Sequence, residues 1–110
     1  MPKMFWRTHS SIMGYLIKVK EGDSNSQEPK EIKPENGKNF KLKELYDMLD
    51  CNMIEVINLS SCQIMIIDEE GKLNDSSYND MATYYFRKAN PENRDFIVGN
   101  ALVCSSDDLN

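Results

Sequence analysis

The side chains able to do chemistry fall in three places. Asp68-Glu69-Glu70 sets three carboxylates at the end of an apolar run, oxygen donors of the kind a divalent cation prefers. No EF-hand spacing accompanies them, so they read as a solvated turn, and no metal site is expected. Glu70, Lys72 and Asn74, grouped around Gly71, form with Gly99 and Asn100 a candidate polar patch if the segments carrying them are neighbours. Backbone amides beside the two glycines could then contact an anion or a partner. The plainer reading has Gly71 ending a strand with positive φ, Asn74 capping the next turn and Gly99 admitting a crossing side chain. The third place is Tyr84-Tyr85-Phe86, with Tyr78 and Arg87 nearby. A base could stack there, but single-strand platforms normally sit in basic grooves. Tyr85 and Phe86 are expected in the core, whereas Tyr78 and Tyr84 fall off that face and are candidate protein-binding hot spots.

Nucleophilic and acid–base chemistry find less support. Cys51, Cys62 and Cys104 are odd in number and show no C-x-x-C pairing, which argues against a disulfide framework or a zinc knuckle. A catalytic thiol needs a histidine, and the only one, His9, lies in an N-terminal segment without periodicity. Cys62 and Cys104 lie in apolar runs and read as small hydrophobes. With no paired-carboxylate motif to nominate a general acid, the chain is expected to be non-enzymatic and without a cofactor.

Composition narrows the partners. A chain of 110 residues with 40% hydrophobic content can form one core, and one domain is expected. Its 13 Lys and Arg against 18 Asp and Glu give a net charge of -5, which disfavours bulk nucleic-acid binding. No apolar run approaches the roughly 20 residues that span a bilayer, and MPKMFWRTHSS lacks the pattern of a signal peptide. A soluble, cytoplasmic protein without membrane contact is expected. Met4-Phe5-Trp6 is an apolar group that could add a strand or bind a partner or a second copy.

The elements that must position these residues follow from periodicity. Residues 12–20 alternate, with Tyr15, Ile17 and Val19 on one face and Lys18 and Lys20 on the other, as in a half-buried strand. A polar loop over 21–31 precedes a short segment that Pro34 confines to a sheet edge, and Asn36-Gly37 marks a tight turn. Leu42, Leu45, Tyr46 and Leu49 give a helix, with Asn39 its expected N-cap. Met53–Leu59 and Gln63–Ile67 read as strands, the second apolar enough to be central and covered on both faces, and Leu73 is expected to turn back toward the core. Ala82, Tyr85, Phe86 and Ala89 give a second helix, with Ser77 and Asp80 resembling a capping box. Residues 96–104 read as a strand interrupted at Gly99-Asn100, by a bulge or by the close approach of another backbone. The fold class is α+β: a single small domain, with a mixed or antiparallel sheet of about four to five strands and two helices packed on it. It spans residues 13–106, between an N-terminal extension over 1–12 and a polar tail over 107–110.

The order helix, IEVINL, apolar strand, acidic turn, helical segment and IVGNALVC resembles a family of small proteins of unknown function. These are encoded by phages, plasmids and conjugative elements, including those of Bacteroidales. The match covers roughly residues 13–106 and rests on Glu69–Asn74 with Ile97-Val98-Gly99-Asn100 and Leu102-Val103. Members usually begin near the strand that starts here at Met13, and often carry glycines where this chain has Asp50-Cys51-Asn52. The resemblance implies an accessory role on a mobile element and brings no catalytic residues.

Two function classes remain. In one, the protein is a non-catalytic interaction module that binds a host or element-encoded protein, as a monomer or homodimer, through an acidic surface, a strand edge or the Tyr78/Tyr84 face. In the other it sequesters a small anionic ligand, such as a nucleotide signal used in host defence, through Lys18, Lys20, Lys72, Asn74 or Arg87. A concave pocket gathering two of these cations marks the second class, and scattered lysines mark the first.

Overall fold

Five strands and two helices make up the α+β fold of the computed structural model, which describes residues 14–19, 28–74 and 76–108. The strands are β1 (Gly14–Ile17), β2 (Lys30–Ile32), β3 (Ile54–Asn58), β4 (Gln63–Asp68) and β5 (Ala101–Ser105); the helices are α1 (Leu42–Leu49) and α2 (Asp80–Ala89). All pairings are antiparallel, in the order β2-β1-β5-β4-β3. The N-terminal extension over 1–12, with Met4-Phe5-Trp6, lies outside the described residues, as does Lys20.

The sheet is covered on both faces. Leu16, Ile64, Ile66, Leu102 and Cys104 pack with Phe40, Leu45 and Leu49 on the α1 side. On the α2 side, Ile17, Met65, Ile67, Ala101 and Val103 pack with Ala82, Tyr85, Phe86 and Ile97. β4 is buried on both faces as its apolar run predicts, but β5 is the middle strand. β1 departs from the expected half-buried pattern, because Leu16 as well as Ile17 is buried. At its start, a Cβ on Gly14 would lie 2.9 Å from Leu102 Cδ1 and 3.2 Å from Val103 O, so any larger residue there would force Leu102 to shift. β2 is the edge strand expected before Pro34.

Both helix starts differ from expectation. Lys41, not Asn39, is the N-cap of α1; Glu44 accepts hydrogen bonds from the Lys41 N–H at 3.2 Å and the Glu35 N–H at 2.8 Å. Asn39 instead donates its N–H to Asn36 Oδ1 in the turn that Gly37 closes with φ 72°. Leu45 and Leu49 are buried, while Leu42 is half exposed. Asp50 ends α1 with φ 54°, a left-handed conformation disfavoured for a residue with a Cβ, and sets a carboxylate at the negative end of the helix.

The N-cap of α2 is Asn79 rather than Ser77. Its Oδ1 accepts from the Ala82 N–H at 3.0 Å, and its Nδ2 donates to Ile17 O at 3.1 Å and Gly99 O at 2.8 Å. The side chain is fully buried with all three bonds made inside the protein. Thr83 adds a reciprocal pair, accepting from the Ile97 N–H at 2.8 Å and donating to Ile97 O at 3.3 Å. Gly99, with φ 77°, is a left-handed turn ahead of β5 rather than a bulge within a strand, and Phe96 to Val98 lie outside β5. Leu73, expected to point inward, is 83% exposed.

Replacing Asn79 by alanine removes a cap and strands two buried carbonyls, so it should lower unfolding stability by about 2–4 kcal/mol. Aspartate caps as well as asparagine. Yet Asn79→Asp should be no better than alanine, because its carboxylate would face Ile17 O and Gly99 O. Asp50→Gly should raise stability by about 0.5–1 kcal/mol. Urea denaturation of the three variants measures all of these effects.

Candidate functional site

β3 forms one border of the sheet, and its alternation decides which backbone groups stay free. Leu59 N–H donates to Gln63 O at 2.9 Å and Glu69 N–H to Met53 O at 3.0 Å. With the register Glu55↔Ile67 and Ile57↔Met65, the odd-numbered residues turn their N–H and C=O toward β4. Ile54, Val56 and Asn58 therefore turn theirs outward, and no backbone hydrogen bond meets them among the described residues. The opposite border, β2, is three residues long with Lys30 and Glu31 exposed, features that discourage pairing. β3 lacks such protection: it has five residues, one charge and an exposed Val56.

A groove of about 430 Å³ runs along this border, between β3 and the segment 90–98. Ile57, Ile67, Phe86, Ile97 and Val98 supply its apolar lining, Phe96 stands half exposed at its wall, and Asn90 and Asn93 face in. Its charged residues are Glu55, Asp68, Glu69, Asp95 and Lys72. Lys72 forms an ion pair with Asp95, and its Nζ lies 4.3 Å from the centre of the Phe96 ring. Arg87 turns to the segment's carbonyls, donating from Nε to Asp95 O at 3.0 Å and from its guanidinium to Arg94 O at 3.1 Å. Among the described residues the groove thus keeps a negative charge from Glu55 and Glu69 that no ion pair balances.

The candidate polar patch divides. Asn74, Gly99 and Asn100 do come together, lining with Asp50, Asp68, Ser76 and Ser77 a hollow of about 270 Å³. Asn100 Oδ1 is occupied by the Val19 N–H at 3.0 Å, and Gly99 by Ser77 and Asn79. Among the described residues no lysine or arginine lines this hollow. Lys72 lies in the groove instead, and Glu70, half-buried, lines neither concavity. Gly71 has no positive φ; a Cβ there would lie 3.0 Å from Val98 Cγ2, a tight contact that Val98 would have to relieve. Asn74 donates its backbone N–H to Glu70 O, closing the turn.

Tyr78 and Tyr84 are 38% and 42% exposed, but they sit on different elements. Tyr78 precedes α2, bridges to Val98 and stacks at 6.0 Å on Phe96, whereas Tyr84 lies on α2 with its ring 5.3 Å from Tyr85. Burial raises the Tyr85 pKa, with Tyr84 adding to it. Cys62 is exposed in the turn before β4 rather than in a strand; Cys104 is buried, and Cys51 has a raised pKa from burial and then the Asp68 charge. Among the described residues no cluster of His, Cys, Asp and Glu is arranged to hold a metal. No helix among them is long and apolar enough to cross a membrane. The groove residues Glu55, Val56, Asp95 and Phe96 escape sequence reasoning; the alternation of IEVIN marks a strand but not a bordering one.

A family model described as "Domain of unknown function (DUF3846)" matches residues 16–110, well over half of the chain. No curated protein and no solved structure matches it.

The Lys72 hydrogen bond lowers the Asp95 pKa, assisted by the Phe96 N–H. A lowered folded-state value stabilises above the ordinary carboxyl pKa of 3.8 and loses that contribution as pH falls beneath it. Both side chains are about half exposed, so solvent screening keeps the effect small. Asp95→Asn should cost under about 1 kcal/mol at neutral pH. In urea titrations the difference should vanish in strong acid.

Proposed function

The chain belongs to this family of unknown function, and we propose that it is a non-catalytic interaction module that takes an extended segment of another protein onto the outer border of β3. One observation carries the reading: the outward backbone groups of Ile54, Val56 and Asn58 lie along a concave groove with an apolar lining. Strand addition uses main-chain hydrogen bonds for affinity and the flanking pockets for specificity. The partner is a host protein or one encoded by the same mobile element, met in the cytoplasm; the resemblance to proteins of phages and conjugative elements supports that setting. Sequestration of an anionic ligand has less support. Lys72 and Arg87 are both engaged with the segment around Asp95, and the charge left in the groove is negative.

Native mass spectrometry of the protein taken directly from the cells that make it tests the reading. Wild type should carry a stoichiometric polypeptide, and Val56→Pro should lose it. Proline there removes only an outward N–H and leaves the pairing with β4 intact. A nucleotide-sized mass lost on refolding, or a polypeptide still held by Val56→Pro, overturns it.

A further inference from the structure

Resting on the strand-addition reading and narrowing it, we infer that the segment accepted by β3 is basic, runs antiparallel to it, and carries an apolar residue followed two positions later by lysine or arginine. Side chains of an added strand alternate between faces, so only those opposite Glu55 and Ile57 enter the groove. The residue opposite Val56 points to the α1 side. Ile57 packs against the α2-side cluster, so an apolar side chain opposite it extends that cluster into the groove.

Charge fixes the second position. Glu69 N–H bonds Met53 O, so Glu69 sits at the Glu55 end of the border, whereas Asp68, paired with Ile54, falls on the α1 side of the sheet. Lys72 is committed to Asp95, which leaves Glu55 and Glu69 without a counter-charge among the described residues where the residue opposite Glu55 arrives. An antiparallel strand passes Ile57 first and Glu55 second, which sets the order apolar, any residue, basic. Antiparallel addition continues the existing sheet and is the more stable pairing per residue. A second copy paired through its own β3 fits poorly, because residues 53–62 contain no Lys or Arg to offer Glu55.

The test is an NMR chemical-shift titration of the intact isotope-labelled protein with three end-blocked, threonine-based heptapeptides. The first carries isoleucine and, two residues later, lysine; the second has the two reversed; the third has glutamate in place of lysine. The first should move the amide signals of Ile54, Val56 and Asn58 and bind roughly three- to tenfold tighter than the others. Val56→Pro, checked for a folded spectrum, should abolish binding, and Glu55→Lys should transfer the preference to the glutamate peptide. Equal binding of all three peptides, lost in Val56→Pro, overturns the basic motif but leaves the strand-addition reading standing. Absence of binding at millimolar peptide, or binding unaffected by Val56→Pro, overturns both. A dimer in sedimentation that Val56→Pro dissociates would assign the border to a second copy and overturn the basic partner.

Discussion

The side-chain amide of Asn79 is the contact on which the arrangement depends. It is buried, and its hydrogen bonds join three elements: the end of β1 at Ile17, the turn into β5 at Gly99 and the first turn of α2 at Ala82. An unmade bond to a buried group costs about 1–3 kcal/mol, so such a cluster admits one arrangement and penalises near misses. With Thr83 bonded both ways to Ile97, α2 and the segment leading to β5 are held together at two points. The stretch 90–96 must then span from the end of α2 back to Ile97, and it becomes the wall facing β3.

The two borders of the sheet differ physically. β2 is short, flanked by lysines and followed by a proline; β3 is longer, with an apolar side chain exposed and a concavity beside it. Unprotected borders carry a risk of aggregation, and natural proteins usually blunt them. Keeping one open costs specificity against other strands unless something nearby discriminates. Glu55 and Glu69 beside it repel acidic segments.

Local patterning was enough to find the five described strands and both α-helices, because period-two and helical repeats are properties of neighbouring residues. The double burial of β4 was legible from its run of apolar positions. What stayed hidden depends on distant parts of the chain. Ser77 and Asn79 are both good caps by type; only the buried carbonyls of Ile17 and Gly99 decide for Asn79. Lys72 and Asn74 look like neighbours in one patch, but the turn sends one into the groove and the other into a separate hollow. Leu73 between them was expected to be inward on hydrophobicity alone and is left in solvent. The groove joins β3 to a segment some forty residues later, and no local pattern announces such a meeting.

The position of β5 bears on how the molecule is made. β1 with β2 and β3 with β4 are pairs of successive strands, each closable early in synthesis. β5 pairs with β1 on one side and β4 on the other, so the sheet stays in two halves until the last of its strands leaves the ribosome. Until then the inner borders of both halves lie open, with Ile66, Ile67 and Leu16 uncovered, a state that favours chaperone capture or misassociation. Sheet closure must therefore await distant contacts, which predisposes the chain to slow folding.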